Sequence, residues 1–448
     1  MEKLKELAEF VLKEAKSLGA DDADVLIIQS VTTRVKVRLG KVEELKQANP
    51  KALGLRIFKN KHKALTYTSD FRPDSLKKLV KKTFEIALVS TPDDFSGLPD
   101  ESLLGTSSQN LDLYDPTLVT LPTEKKIALV TELENIGLKL DPLITNSEGA
   151  TWNDSQYRIV IANTRGFSGS QDYTSCSLSL ALLAEKDGVK QSDYWYSSGR
   201  HLQRLERIED IAREAVRRTI RKIGSRKPKT TTVPVVFDPI AGRDLLNILA
   251  SSVVGSAIYR KSSFLVDKLG KSIAVNDFNL IDDSLIPGGL ASRSFDYEGL
   301  PGRKNIVCEN GVLQKYLCDT YFARKLGLPA TGNAIRSTHT EPQPGTTNFY
   351  MLPGEYTPEE IISSVEDGLY LTDVHWVGIN YVTGDYSRGA EGIWIENGQM
   401  TYPVQEFTIA SNVLTMLKSI EMIGNDLTFR DAINAPTFKI SSMTISGT

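Results

Sequence analysis

The chain has 448 residues, enough for two or three domains with buried cores. Its 53 Lys and Arg nearly balance 56 Asp and Glu, a net charge of −3, which excludes a large uncompensated basic surface for nucleic acid. Only four His and three Cys are present, so the usual zinc and nucleophile sites have few residues to draw on.

The first segment, MEKLKELAEFVLKEAKSLGA, places Leu4, Leu7, Ala8, Val11, Leu12 and Ala15 on one face of a helix ending near Gly19. Charges fall within every turn, so it lacks the apolar core of a signal peptide, and no run of about 18 apolar residues follows anywhere. The expectation is a cytoplasmic chain that does not span a membrane. Val25 to Ile28 and the alternating Val31, Thr33, Val35, Val37 and Leu39 predict a hairpin or meander. A further strand pair is predicted over about Ala52 to Thr68, then a helix over Asp74 to Val89 with Asp74 as its cap.

Between Ser90 and Pro122 the composition turns to Pro, Asp, Ser and Gly, the chemistry of a linker. A helix opens at Thr123, and strands are predicted over Tyr157 to Ala162 and Ser175 to Leu183. The next helix, RIEDIAREAVRRTIRKIG, buries an Ile/Ala/Val face and carries Arg213, Arg217, Arg218, Arg221 and Lys222 towards its end. A solvated face complementing the helix dipole is the ordinary reading, and an anionic partner the alternative. From Val233 strands and turns dominate, with Asn310-Gly311 and Asn397-Gly398 as hairpin turns. The first turn pairs Glu309 with Val312 and Cys308 with Leu313, and continuing the same register sets Cys318 opposite position 303. The fold expected is α+β: an α+β unit over residues 1–95, a second α+β segment over 115–224 packing with it, and a β-rich domain over 230–448.

Much familiar chemistry is absent. No G-x-S-x-G, G-x-x-x-x-G-K or G-x-G-x-x-G motif occurs, and even His339 and His375 stand 36 positions apart. Cys176, Cys308 and Cys318 form no C-x-x-C and read as reduced thiols. Asp93-Asp94 and Asp282-Asp283 sit in turn-like contexts where Asp serves the backbone.

Four blocks of the C-terminal half carry a resemblance: YLCDTYFARKLGLPATGNAIRS (Tyr316 to Ser337), TNFYMLPGEYTPEEII (Thr347 to Ile362), NYVTGDYSRGAEGIWIENGQMTYPVQE (Asn380 to Glu406) and IEMIGNDL (Ile420 to Leu427). In order and spacing they resemble the TldD/TldE family, also called PmbA, historically "modulators of DNA gyrase" and classed as metallopeptidases. The TldD branch has an H-E-x-x-x-H helix after a strand and a late Cys completing a zinc site. Here VPVVFDP is followed by AGRDLLNILASSVVG, so Asn247, Ile248 and Ser252 stand where His, Glu and His would be, and no Cys follows IGNDL.

The resemblance is therefore to the TldE (PmbA) side. It implies a β-rich C-terminal domain, no cofactor in this chain, zinc only in a TldD-like partner, and a non-catalytic assembly and substrate-binding subunit that joins that partner in a cytoplasmic protease acting on unfolded or extended peptides. It implies a homodimer when the chain is alone. Asn333, Arg336 and His339, in the turn-rich stretch Thr331 to Asn348, are candidates for a peptide-cleft wall, with an ordinary surface loop as the competing reading. Two other readings stand beside the assembly subunit. One is an autonomous metallopeptidase or other hydrolase using distant residues such as His339 and His375; the other is a gyrase regulator, for which the charge pattern offers no direct DNA-binding surface.

Overall fold

The computed structural model describes residues 2–375 and 378–447. One strand organises the N-terminal half. Asp22–Arg38 is a single 17-residue strand where a hairpin within it was expected, and the hairpin turn falls later, at Leu39 and Gly40, both with positive φ. Its odd-numbered positions Val25, Ile27, Val35 and Val37 share one face, as the period of two requires. Val25 and Ile27 lie in the core under helices Glu2–Ser17 and Pro73–Val89, while Val35 and Val37 lie under helices Thr123–Lys139 and Ile208–Ile220. The strand thus serves two helix pairs, and residues 1–95 and 115–224 share one seven-stranded sheet. Its long second neighbour, Ile144–Asn163, pairs with it from Asp24↔Asn163 to Val37↔Ala150.

Several predicted boundaries move for physical reasons. Helix Pro73–Val89 is capped by Arg72 without a side-chain bond; Pro73 holds the first position, and Asp74 lies inside the first turn. The strands read at Tyr157 and Ser175 extend to Ile144–Asn163 and Ser168–Lys186, and a third, Val189–Gly199, had no expectation attached to it. The basic helix run is largely consumed within the fold. Arg213 pairs with Asp210 and Arg217 with Glu214. Arg218 is buried 3.6 Å from Asp193, and Lys222 lies 2.7 Å from Glu391.

The C-terminal half holds a six-stranded sheet in the order Gln399–Asn412, Asp385–Glu396, Asp367–His375, Thr231–Phe237, Phe438–Ser446, Ile420–Ile423. Gln399–Asn412 also pairs with Phe438–Ser446, which curls the sheet. Helix Pro239–Ser252 packs Leu245, Leu246, Ile248 and Leu249 into its core beside Phe237 and Phe438. A smaller sheet contains Leu280–Asp283 between Lys304–Glu309 and Asn348–Met351. The Asn310-Gly311 turn has positive φ at both residues and the expected Cys308↔Leu313 register. That hairpin strand ends at Leu313, however, so Cys318 leaves the ladder and does not face position 303; Leu317 bridges to Val254 instead.

Buried charge joins the halves. Arg336 Nη1 donates to Asp24 Oδ1 at 3.0 Å, and Arg56 forms the other side of the same carboxylate. Thr338 O presses so close to Gly54 that a Cβ there would lie 2.1 Å from it.

Candidate functional site

The four long helices cover one face of the seven-stranded sheet, and the other face turns towards the C-terminal domain. On strand Ser168–Lys186, Leu178, Leu180 and Leu182 are buried beneath the helices, while Ser175, Ser177 and Ser179 point the opposite way. Register lines these up with their neighbours: Thr32, Ser155 and Ser175 in one row, Arg34, Asn153, Ser177 and Ser198 in the next, then Thr151, Ser179 and Tyr196. The first two rows, with Tyr196 from the third, line a groove of about 620 Å3 rich in hydroxyls, with Arg34 and Lys46 also on its wall and Leu290 and Asp431 supplied by the C-terminal domain. Ser155 and Ser175 bond each other at 2.6 Å, and Ser198 donates to Arg430 O at 2.5 Å. The sequence did carry this signal, as a Ser at every second position of TSCSLSL.

At one end of the groove, helix Pro239–Ser252 meets the segment after IGNDL. Asp238 caps the helix by accepting from Ile240 N at 2.7 Å. In the late segment, Asn434 accepts from the backbone of Arg430 and Asp431 and donates to Asp431 O, which ties the turn to itself. Asp431 is thereby held against the helix, where it pairs with Arg243 and accepts from Tyr196 OH at 2.6 Å. Arg243 Nη1 also donates to Tyr196 OH at 2.7 Å. Burial, aided by the Asp431 carboxylate, pushes the Tyr196 phenol up to about 12, so it stays protonated and donates. Beside this triad Arg430 pairs with Glu206 and lies over the Trp195 ring at 4.7 Å.

The residues expected at a vestigial zinc position lie on different sides of the helix. Asn247 is exposed and donates to Arg243 O at 3.0 Å. Ile248 is in the core, and buried Ser252 donates back to Ile248 O at 2.7 Å. These side chains do not fit zinc: an alkyl group offers no lone pair, the hydroxyl is committed to the helix, and the charged group one turn before Asn247 is the cation Arg243, paired with Asp431. Among the described residues no three His, Cys, Asp or Glu converge on a point that could hold a metal.

The four His are likewise scattered. His62 bonds Ser90 O, His201 lies 3.0 Å from Asp112, the His339 ring lies tilted beside that of Tyr67 at 5.6 Å, and His375 lies 3.0 Å from Glu391. All three thiols are buried and free, and burial raises each to about 12, far from a thiolate nucleophile. Of the cleft-wall candidates, Asn333 is buried and donates to Asp282 Oδ2 at 2.7 Å and Gly345 O at 2.9 Å. Arg336 is buried on Asp24, and His339 is exposed. The structure joins none of them to the groove.

Three family models match in sequence along the chain: PmbA/TldA metallopeptidase domain 1 over residues 23–87, the central domain over 116–223 and the C-terminal domain over 230–447. The metalloprotease PmbA of Escherichia coli O157:H7 is 32% identical over 434 residues, covering 97% of this chain and 94% of the relative. The chain belongs to the PmbA/TldD family. The PmbA homologue of Haemophilus influenzae is 31% identical, with 100% of this chain and 96% of that protein covered. A Bacteroides thetaiotaomicron structure, described as a candidate modulator of DNA gyrase, superposes with a TM-score of 0.92 at 27% identity, both chains being covered in full. The TldE structure from Thermococcus kodakarensis shares the fold, with a TM-score of 0.90 at 21% identity over 98% of this chain and 100% of that one. In this α+β family the segments that meet at Arg243 and Asp431 are the same two in which the resemblance to TldD leads one to expect ligands.

Proposed function

We propose that this chain is a non-catalytic subunit that binds substrate and assembles with a TldD-like chain into a cytoplasmic peptidase. The observation that carries the reading is the Arg243–Asp431–Tyr196 triad. Helix and late segment come together, yet what they present is a closed ion pair and a protonated phenol. A cation at that point would oppose a second cation rather than help bind one. A hydrolase also needs a group that can take a proton from water; at this point the Asp431 carboxylate is held by Arg243 and Tyr196, and each His and thiol lies elsewhere or is held neutral.

Extended peptides are the substrate class that the groove favours. Hydroxyls both donate and accept, so rows of Ser and Thr can serve main-chain N–H and C=O groups with little demand on side chains. Buried free thiols suit a reducing compartment.

The test is co-expression with a TldD-like chain that carries H-E-x-x-x-H. The expected result is a copurifying complex that cleaves an unstructured reporter peptide, and loses that activity when only the partner's Glu is changed. The chain alone should be inert and free of stoichiometric zinc by elemental analysis. Chelator-sensitive hydrolysis by the chain alone would instead favour the autonomous metallopeptidase.

A further inference from the structure

The far end of the same groove runs into a second cavity of about 220 Å3 at the domain junction, where two guanidinium groups border the space. They are Arg200, from the end of strand Val189–Gly199, and Arg293, from the C-terminal domain. Neither has a carboxylate within 4.0 Å among the described residues. Arg200 donates to Gly289 O and Thr174 O at 3.2 Å and to Leu290 O. Arg293 donates to Ala334 O at 3.1 Å and Gly332 O at 3.3 Å, and its Nε is buried without a partner. The carboxylates whose charge reaches Arg293 are committed elsewhere. Asp282 accepts from Thr347 N and Asn333, and Asp296 from the backbone of Glu298, Leu300 and Ala334. Rings brace both cations: Arg200 over Tyr173 at 4.7 Å and Arg293 over Tyr297 at 5.8 Å.

A guanidinium has five N–H donors. The bonds above use three on Arg200 and two on Arg293, which leaves several donors and two positive charges at one small cavity. Arg200 is buried and Arg293 half-buried; a cation withdrawn from water is costly unless an anion completes it, and Arg pairs suit the planar, two-oxygen geometry of a carboxylate. The remaining walls include Ile159, Phe295, Leu290 and Ile335, so an apolar group fits beside the charge. Leu290 borders both cavities, and Tyr173, Ser175, Ser177 and Ser179 run along one face of one strand from the arginines to Tyr196. Six strand steps span roughly 20 Å, the length of about six extended residues.

We infer that the Arg200–Arg293 cavity binds a carboxylate, that of the free C-terminus of an extended peptide ending in an apolar residue, and so fixes the peptide's direction in the groove. This rests on the peptide-handling reading above.

The test uses the full chain and N-terminally labelled Ala-Ser-Ala-Ser-Ala-Leu as free acid, as its C-terminal amide, and as the amide of the Glu-ended analogue. In parallel, N-acetyl-leucine and N-acetyl-leucinamide are compared by NMR titration. The expected result is free acid at least tenfold tighter than amide, with the difference falling below twofold in Arg293→Gln, whose melting point is checked. Recovery of binding by the Glu amide would assign the carboxylate to a side chain and overturn the C-terminal assignment. N-acetyl-leucine binding without any peptide binding would keep the carboxylate site and overturn the peptide reading. Equal binding of acid and amide, or no binding by either leucine derivative, would overturn the site itself. A preference for acid that survives unchanged in folded Arg293→Gln and Arg200→Lys would also overturn it.

Discussion

Asp24→Asn is the substitution on which the interdomain account depends most. Asp24 is 2% exposed and holds two arginines, Arg56 and Arg336, that come from opposite halves of the molecule. Their charges outweigh burial and keep the Asp24 carboxyl below the usual range, so it is ionised at neutral pH. Asn preserves the shape and removes the charge. Arg56 would still have Glu341 at 3.3 Å and Glu298 at 3.9 Å. Arg336 would lose its only ion pair, keeping at most a neutral amide acceptor and the more distant charge of Glu298, with its Nε and Nη2 already unpartnered. Stranding a buried cation in this way costs about 3–5 kcal/mol. The assay is urea unfolding followed by tryptophan fluorescence, with Trp152 and Trp195 in the N-terminal sheet and Trp394 in the C-terminal one. Arg336→Met should cost less than Asp24→Asn, since Asp24 keeps Arg56. The double variant should cost clearly less than the sum of the two. A loss below about 1 kcal/mol for Asp24→Asn, or strict additivity, would refute the reasoning.

Four further outcomes follow from particular contacts. Leu249→Ala, in the core of helix Pro239–Ser252, should cost about 2–5 kcal/mol in denaturant melts, and an unchanged midpoint would contradict the packing. Gly54→Ala forces Thr338 O away from the sheet; it should destabilise by about 1–3 kcal/mol and speed proteolysis within residues 334–345. Burial, and then the Glu298 charge, push Asp319 up to about 7, so the stability its protonated form contributes is full below about 3.9 and lost as pH rises through about 7. Asp319→Asn retains the acceptor for Phe322 N, and its melting point relative to the parent should rise between pH 5 and pH 8; a constant gap would refute this. Installing His at Asn247 and Ser252 with Glu at Ile248 should lower stability without retaining zinc on dialysis, because the Glu enters the core and no third ligand is near.

The helix faces of Glu2–Ser17 and Pro239–Ser252, the Asn-Gly hairpins and the absence of an H-E-x-x-x-H were legible in the sequence, because periodicity, positive φ and ligand chemistry are local properties. So was the alternation that builds the groove, in the Ser residues of the strand at Ser175. What each alternating face meets is not local. That Asp22–Arg38 runs through a turn expected within it depends on two helix pairs covering one face, and that Cys318 leaves its hairpin depends on Val254 capturing Leu317. The same limit applies to charge. Arg200 and Arg293 differ from Arg56 and Arg336 in no sequence property; only the tertiary structure places a carboxylate beside one pair and a cavity beside the other. Sequence determined which side chains were available and which face of each element they occupy. The meeting of elements distant along the chain decided which cations are struts and which are open to a ligand, since the cost of burying a charge depends on its neighbours in space.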